Sequence, residues 1–337
     1  MATLKEIAQR CDCSVATVSK ALNGMSDISE AMTLKVKQVA DEMGYWPNAA
    51  ARTLKTNRSK TIGLLMFLKN ESVWTHEYFG SIANSIQNEM EKMDYDVTPI
   101  KYESAFLRNG YLTYCRYRNY DGVILMSAGF TEENLMELIN SDIPLVTIDY
   151  AVYNRGAILS DNVQGIKELV RYLYDMGHRK IANIHGEDTY VTRTRLASFF
   201  SACEECGLTI PDRYMIPSIY HDPALCEKAT YTLLDMPEPP TVILYPDDFS
   251  MIGGLNALRA RHMHVPADMS IVGYDCIPLA RNWSPRFTTI RQDSEGIGRE
   301  AAKMLLSAIE KPKTFLPQHL VLPCTFITGG TVRNLNL

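Results

Sequence analysis

The stretch Thr3-Leu-Lys-Glu-Ile-Ala-Gln-Arg-Cys-Asp-Cys-Ser-Val-Ala-Thr-Val-Ser-Lys-Ala-Leu-Asn-Gly24 reads as two short helices meeting at a tight turn. Thr3 with Glu6 forms a capping box, and Leu4, Ile7, Ala8 and Cys11 recur at helical spacing, which predicts a helix over residues 4–10. Asp12-Cys13 supplies the turn and Ser14 the next N-cap. Val15, Val18, Ala21 and Leu22 then form the apolar stripe of a helix over 15–22, ended by Asn23-Gly24. A third helix is expected over 30–43, capped by Ser29, with Met32, Val36, Val39 and Ala40 inward and Gly44 as its C-cap. This is the helix-turn-helix pattern, in which the second helix enters the major groove of double-stranded DNA. On that geometry Val15 and Ala16 face base edges, Thr17 and Ser19 donate to phosphates, and Lys20 reaches a base or a backbone oxygen.

Past this head, Pro47 breaks the chain, and Asn48-Ala-Ala-Ala-Arg-Thr-Leu54 is a helix former with almost no apolar face, marginal by itself. Residues 55–60 are polar and basic, as a linker would be. From Thr61 the pattern changes to strands at 61–67, 122–127 and 145–149 alternating with helices at 78–93 and 132–139. A second series has helices at 165–176, 192–206, 223–234 and 249–259 around strands at 180–185, 241–245 and 270–274. Two such alternations predict two lobes, each a parallel sheet covered on both faces. Ligands of open parallel sheets sit at the carboxyl ends of strands, so the loops after Phe67, Ser127, Asp149, His185, Tyr245 and Tyr274 are where a binding site is expected. The fold class is therefore an all-α head on an α/β body.

The chain has 337 residues and a net charge of -5, yet residues 1–60 carry nine Lys or Arg against six Asp or Glu. A basic head on an acidic body suits a protein that touches DNA with one end. No window approaches an apolar membrane span and the N-terminal residues lack a secretory pattern, so the expectation is a cytoplasmic protein with no membrane partner. Eight scattered cysteines suit a reducing compartment. Cys203-x-x-Cys206 and Cys11-x-Cys13 lack a second ligand pair and are read as packing thiols, and His262 and His264 as solvated; no metal site and no cofactor is expected. No nucleophile elbow, phosphate-binding loop or metalloprotease helix is present, so catalysis has no support.

Thr3-Leu-Lys-Glu-Ile-Ala-Gln9, Ser14 to Gly24 and Gly44-Tyr-Trp-Pro-Asn-Ala-Ala-Ala-Arg-Thr-Leu54 together resemble the signature of the lactose-repressor (LacI/GalR) family of bacterial regulators. The likeness continues at lower density through Thr61-Ile-Gly-Leu-Leu65, Asp121-Gly-Val-Ile-Leu125, Arg195-Leu-Ala197, Val272-Gly-Tyr-Asp275 and Thr288-Thr-Ile-Arg-Gln292, nearly the whole chain. It implies a head at 1–46, a hinge helix and linker at 47–60, and a periplasmic-binding-protein-like effector and dimerisation body at 61–337. Within the body, the N-lobe takes about 61–161 and 291–324, and the C-lobe about 162–290 and 325–337. It also implies a homodimer reading a pseudo-palindromic operator centred on a C-G step. A hinge leucine, here Leu54 flanked by Ala51 and Lys55, would wedge into the minor groove. Thr3, Ser14, Asn23 and Asn48 complete the implied DNA-contacting set. The positions matching the family's effector contacts are Tyr78, Phe79, Arg195, Tyr220, Asp247 and Asp275, types that would hold a small sugar by carboxylate acceptors, a guanidinium fork and an aromatic face.

Departures bear on the ligand. Asp247 stands where many relatives have Asn, Cys276 where a second Asp is common, Ser198 for Gly, and Thr325-Phe-Ile-Thr-Gly-Gly-Thr331 lacks the usual Arg and Ser. An ionised Asp247 would disfavour phosphorylated or carboxylated effectors and favour a neutral polyol. The expected function is thus a ligand-responsive repressor of sugar-utilisation genes. The alternatives are a cytosolic sugar-binding protein without a DNA role, and a regulator responding to a non-sugar molecule such as a nucleobase. The chain's last residues, Thr331 to Leu337, are too few for the leucine heptad of tetrameric relatives, which makes a dimer the default.

Overall fold

The computed structural model describes the chain except residues 1, 23–24, 26, 47–52, 54–57, 67–74, 101–109 and 127–132. It divides into two compact units, Met1–Ser59 and Lys60–Leu337.

In the first unit α1 (Leu4–Cys11), α2 (Val15–Leu22) and α3 (Glu30–Glu42) enclose a core of Ile7, Ala8, Cys11, Val18, Ala21, Val36 and Ala40. The local signals act as the residue types require. Thr3 Oγ1 accepts from the Glu6 amide while the Glu6 carboxylate accepts from the Thr3 amide at 2.8 Å, closing the capping box. Ser14 Oγ accepts from the Thr17 amide at 3.0 Å, and Ser29 Oγ from the Met32 amide at 3.3 Å. Each bond satisfies a backbone donor that the first helical turn leaves without an acceptor. Gly44 follows α3 in the left-handed region, φ 59°.

The second unit holds two parallel sheets. The first has the order β11-β5-β4-β3-β1-β2, built from β1 (Thr61–Met66), β2 (Asp96–Ile100), β3 (Gly122–Met126), β4 (Leu145–Ile148), β5 (Gly156–Ser160) and β11 (His319–Leu322). One face is covered by α4 (Glu77–Glu91) and α12 (Ser294–Glu310), whose Ile82, Ile86, Ile297 and Leu305 pack on Ile62, Leu64, Ile124 and Ile148. The other face is covered by α5 (Tyr111–Tyr117) and α6 (Glu133–Ile139). The second sheet has the order β7-β6-β8-β9, from β6 (Ile181–His185), β7 (Met215–Pro217), β8 (Val242–Leu244) and β9 (Ser270–Val272). On one side lie α7 (Asn162–Asp175) and α8 (Tyr190–Glu205); on the other, α9 (Pro223–Leu234), α10 (Met251–Ala260) and the short α11 (Pro278–Asn282).

The chain crosses between these lobes three times. β5 of the first sheet runs through Asp161 into α7 of the second lobe. The strand β10 (Thr289–Arg291), whose Ile290 is in the second lobe's core, leads to α12 of the first. β11 is followed at once by β12 (Thr325–Ile327), which pairs antiparallel with β10.

Candidate functional site

In the head, Val15 and Ala16 lie at the exposed start of α2, and Val15 keeps 43% of its surface open although it is apolar. Nothing within the described head covers it. Lys20 is exposed and paired with Asp27. Thr3 and Ser14 are spent partly as caps, and Thr17 bonds Ser14 through its hydroxyl at 2.9 Å; Ser19 is half-buried on the same helix. Ser14, Val15, Ala16 and Thr17 lie together at the start of α2, Ser19 and Lys20 further along the same helix, and Thr3 at the start of α1. Asn23, Asn48, Ala51, Leu54 and Lys55 lie outside the described residues.

In the body the carboxyl ends of β4, β5, β6, β8 and β9 converge where the chain crosses between lobes, and Arg195 of α8 is at the centre. Its Nε donates to Asn162 Oδ1 at 2.8 Å and Nη1 to the Pro246 carbonyl at 3.0 Å, while the guanidinium lies 3.5 Å from the centre of the Tyr274 ring. The Tyr274 hydroxyl donates to the same Asn162 Oδ1 at 2.9 Å. Arg195 thus has neutral oxygens as its hydrogen-bond partners, and its remaining N–H groups have none among the described residues. Burial disfavours its charge, but Tyr220, Tyr274, Asp275 and Asp149 together hold the proton more tightly than usual.

Asp275 follows β9 with φ 92°, a left-handed conformation costly for any residue with a side chain. Its amide donates to the Ile290 carbonyl at 2.8 Å, and its Oδ1 accepts from Gln292 Nε2 at 2.7 Å. Burial pushes its carboxyl up to about 7, Arg195 opposing and Asp247 adding to the rise. Asp149, after β4 and also left-handed, accepts from the Tyr78 hydroxyl and from the Ser160 amide, both at 3.3 Å; burial raises its carboxyl too, against Arg195. Tyr220 bonds Thr192 through its hydroxyl at 2.9 Å, with its ring 5.7 Å from the Arg195 guanidinium.

Tyr78, Arg195, Tyr220 and Asp275 therefore share one electrostatic neighbourhood. Asp247 is engaged elsewhere. Its Oδ1 accepts from the Ser250 amide at 2.7 Å, and its Oδ2 from the Ser250 hydroxyl at 2.8 Å and the His221 amide at 2.9 Å. A carboxylate so held builds the turn before α10. Its charge is met by internal donors, which removes the reason for expecting it to select the ligand. Phe79 is half-buried against the first lobe's core, 5.1 Å from Tyr78.

Sequence reading missed Asp149, Asn162, Tyr274 and Gln292. Asp149 and Tyr274 lie at strand ends singled out for their loops and Gln292 closes the Thr288–Gln292 stretch, but Asn162 gave no signal, being the first residue of a helix. It also missed a contact between the lobes, where Phe249, His221 and His76 stack in series with centroids 3.9 and 4.1 Å apart, and His221 Nε2 lies 3.0 Å from Glu77 Oε2. Ligand atoms of His76, Glu77 and His221 fall within 4.8 Å of one another. The geometry disfavours an ion, since the imidazole planes differ by only 24° and an ion in the plane of one lies off the plane of the other. His76 Nδ1 moreover accepts from the Phe79 amide as the cap of α4. Burial, with His221 adding, lowers His76 to about 4, so it stacks as the neutral ring. The eight cysteines are free thiols.

Residues 3–48 match the sequence profile of bacterial regulatory proteins of the lacI family, and 170–332 that of the periplasmic binding protein-like domain. The probable HTH-type transcriptional repressor ExuR of Bacillus subtilis (strain 168) is 32% identical over 339 residues, 99% of each chain. The HTH-type transcriptional repressor PurR of Escherichia coli O139:H28 is 30% identical over 92% of this chain and 91% of its own. Among solved structures, the lac repressor dimer bound to operator and the anti-inducer ONPF superposes with a TM-score of 0.82 at 21% identity, covering 98% of this chain and 99% of that one, which establishes a shared fold. No helix among the described residues is long and apolar enough to cross a membrane. Head, body and whole-length identity agree, and the chain belongs to the lacI family of bacterial regulatory proteins.

Proposed function

We propose that the chain represses sugar-utilisation genes by binding a pseudo-palindromic operator as a homodimer, and that a small hydroxylated effector held between the lobes changes its grip on DNA. The observation that carries the effector reading is Arg195, a recessed guanidinium with N–H groups to spare, set among Asp149, Asp275 and the tyrosine hydroxyls. A fork of donors beside two carboxylate acceptors suits a molecule whose hydroxyls both donate and accept. The two carboxylates, rather than Asp247, weigh against phosphorylated and carboxylated effectors. Closure around the ligand draws on elements of both lobes, since Tyr78 and Asp149 belong to one and Arg195 and Asp275 to the other.

The exposed start of α2 supports the DNA reading. Val15 and Ala16 offer methyl groups rather than hydrogen bonds, so packing on thymine methyls and DNA shape carry more of the specificity than polar base contacts. The test is a gel shift on pseudo-palindromic duplexes taken from upstream of sugar-utilisation genes, with neutral sugars, polyols, sugar phosphates and nucleobases added in turn. A retarded dimer complex that one neutral sugar or polyol weakens or strengthens is the expected result. No shift with any duplex would overturn the DNA reading, and a response confined to sugar phosphates or nucleobases would overturn the effector class.

A further inference from the structure

Lys20 and Asp27 form an ion pair on the open side of the head, Nζ to Oδ2 at 2.5 Å, each side chain about half exposed. Lys20 stands one turn after Ala16 on the outward face of α2, away from the buried Val18 and Ala21, and Asp27 comes from the segment between α2 and α3. Ala16 carries only a methyl, so it leaves a base-pair edge open to the longer Lys20 beside it. Exposed ion pairs add little to stability, and a carboxylate near a duplex is repelled by the phosphates. A carboxylate at this face is compensated where the duplex offers it a donor.

The major groove offers one. A G·C pair presents guanine N7 and O6 as acceptors and the cytosine N4 amine as a donor. An ammonium has three N–H groups, and Lys20 gives one to Asp27, leaving two for the guanine. Asp27 Oδ2 takes that bond, and Oδ1 accepts from no other described residue. The bond to Lys20 also holds the Asp27 carboxyl below its ordinary range, so it stays ionised and acceptor-only at neutral pH. An A·T pair sets the adenine N6 amine where guanine has O6, and thymine O4 where cytosine has its amine. It therefore meets Lys20 with a donor and Asp27 with an acceptor, and both contacts repel.

We propose that Lys20 and Asp27 together read one G·C base pair in each operator half-site, Lys20 on the guanine and Asp27 on the cytosine N4 amine. The assignment rests on α2 lying in the major groove, and it adds a polar reading to the methyl contacts of Val15 and Ala16. The test takes the full-length protein through selection from a library of pseudo-palindromic duplexes. Competition binding of single-pair variants to wild type, Lys20→Ala and Asp27→Ala follows. The expected result is a selected G·C pair in each half-site whose exchange for A·T weakens wild type about tenfold or more and Asp27→Ala a few-fold at most. Lys20→Ala loses the preference for guanine. N4-methylcytosine at that pair, which sets a methyl where the outward amine proton stood, weakens wild type several-fold and leaves Asp27→Ala unchanged. A carboxylate that merely steadied Lys20 would not respond to that methyl. Equal effects of N4-methylcytosine on both proteins overturn the proposal, as does Asp27→Ala tightening every duplex alike with its base preference intact. Failure of wild type to select any duplex sinks the docking of α2 itself, whereas selection without a G·C preference overturns the base-pair reading alone. If Asp27→Ala disturbs the thermal melt of the head, wild type on methylated and unmethylated duplexes decides, and equal affinity overturns the proposal.

Discussion

Arg195 has a guanidinium whose hydrogen-bond partners are neutral, so removing it deletes donors while leaving no carboxylate stranded in a direct ion pair. A hydrogen bond to a charged group contributes roughly 1.5–3 kcal/mol, so Arg195→Leu is expected to weaken effector binding at least about tenfold while the gel shift without effector stays unchanged. Loss of the shift itself would show that Arg195 sustains the fold rather than the ligand. Asp275 makes a second prediction because its carboxyl is raised to about 7 from 3.8. In the folded protein it holds a proton that the unfolded chain has already lost, so its stabilising contribution is complete below about pH 4 and disappears as pH rises through 7. Ionisation over the same interval supplies the better acceptor for a sugar hydroxyl. Raising pH from 6 to 8 should therefore lower the melting temperature of the ligand-free body and strengthen effector binding, and Asp275→Asn should flatten both trends. At this scale the sequence named Arg195 and Asp275 through their motif and strand-end positions. It could not show that three donors from Ser250 and His221 already occupy the oxygens of Asp247, because composition carries no hydrogen-bond partners.

Elements were legible where one surface alone decides their pattern. Helix α2 begins and ends as expected and α1 runs one residue further, because caps and apolar stripe coincide. Helix α12 was missed although it is 17 residues long. Its Gly298, Ala301, Ala302 and Ala308 put small residues on its buried side, and the reason for them is tertiary. A Cβ added at Gly298 would stand 2.4 Å from the Ile82 carbonyl oxygen of α4, so the two helices approach backbone to backbone there. Strands β5 and β11 were missed for another reason, since each is short and only the assembled sheet gives it partners. Gly298→Val should force α4 and α12 apart, and overpacking of this kind costs about 1–3 kcal/mol or more. Chemical denaturation of the body measures it, and an unchanged midpoint would mean the helices are free to slide. Thr3→Ala should cost the head about 1 kcal/mol by opening the capping box, read from the thermal melt of the head's helical signal.

Across the whole molecule, effector and operator are coupled only if the ligand distinguishes two arrangements of the lobes. The stacked His76, His221 and Phe249, with Glu77 on His221, form a contact that exists only while the lobes are together. Such a contact opposes opening even without ligand, so His221→Ala should shift the free protein toward the open arrangement, seen as a larger radius of gyration in solution scattering. The same substitution must then weaken or strengthen DNA binding according to which arrangement the operator prefers. Linkage fixes the size of the answer: the factor by which effector changes operator affinity equals the factor by which operator changes effector affinity, commonly about 5–150-fold, or 1–3 kcal/mol. Measuring both legs for wild type and His221→Ala closes the cycle. Equal factors within each protein, together with a shifted operator affinity in the variant, would place the lobe equilibrium on the path between the two ligands. Unchanged operator affinity alongside an opened body would disconnect lobe closure from DNA binding, since an equilibrium that moves without altering DNA affinity cannot transmit the effector's signal.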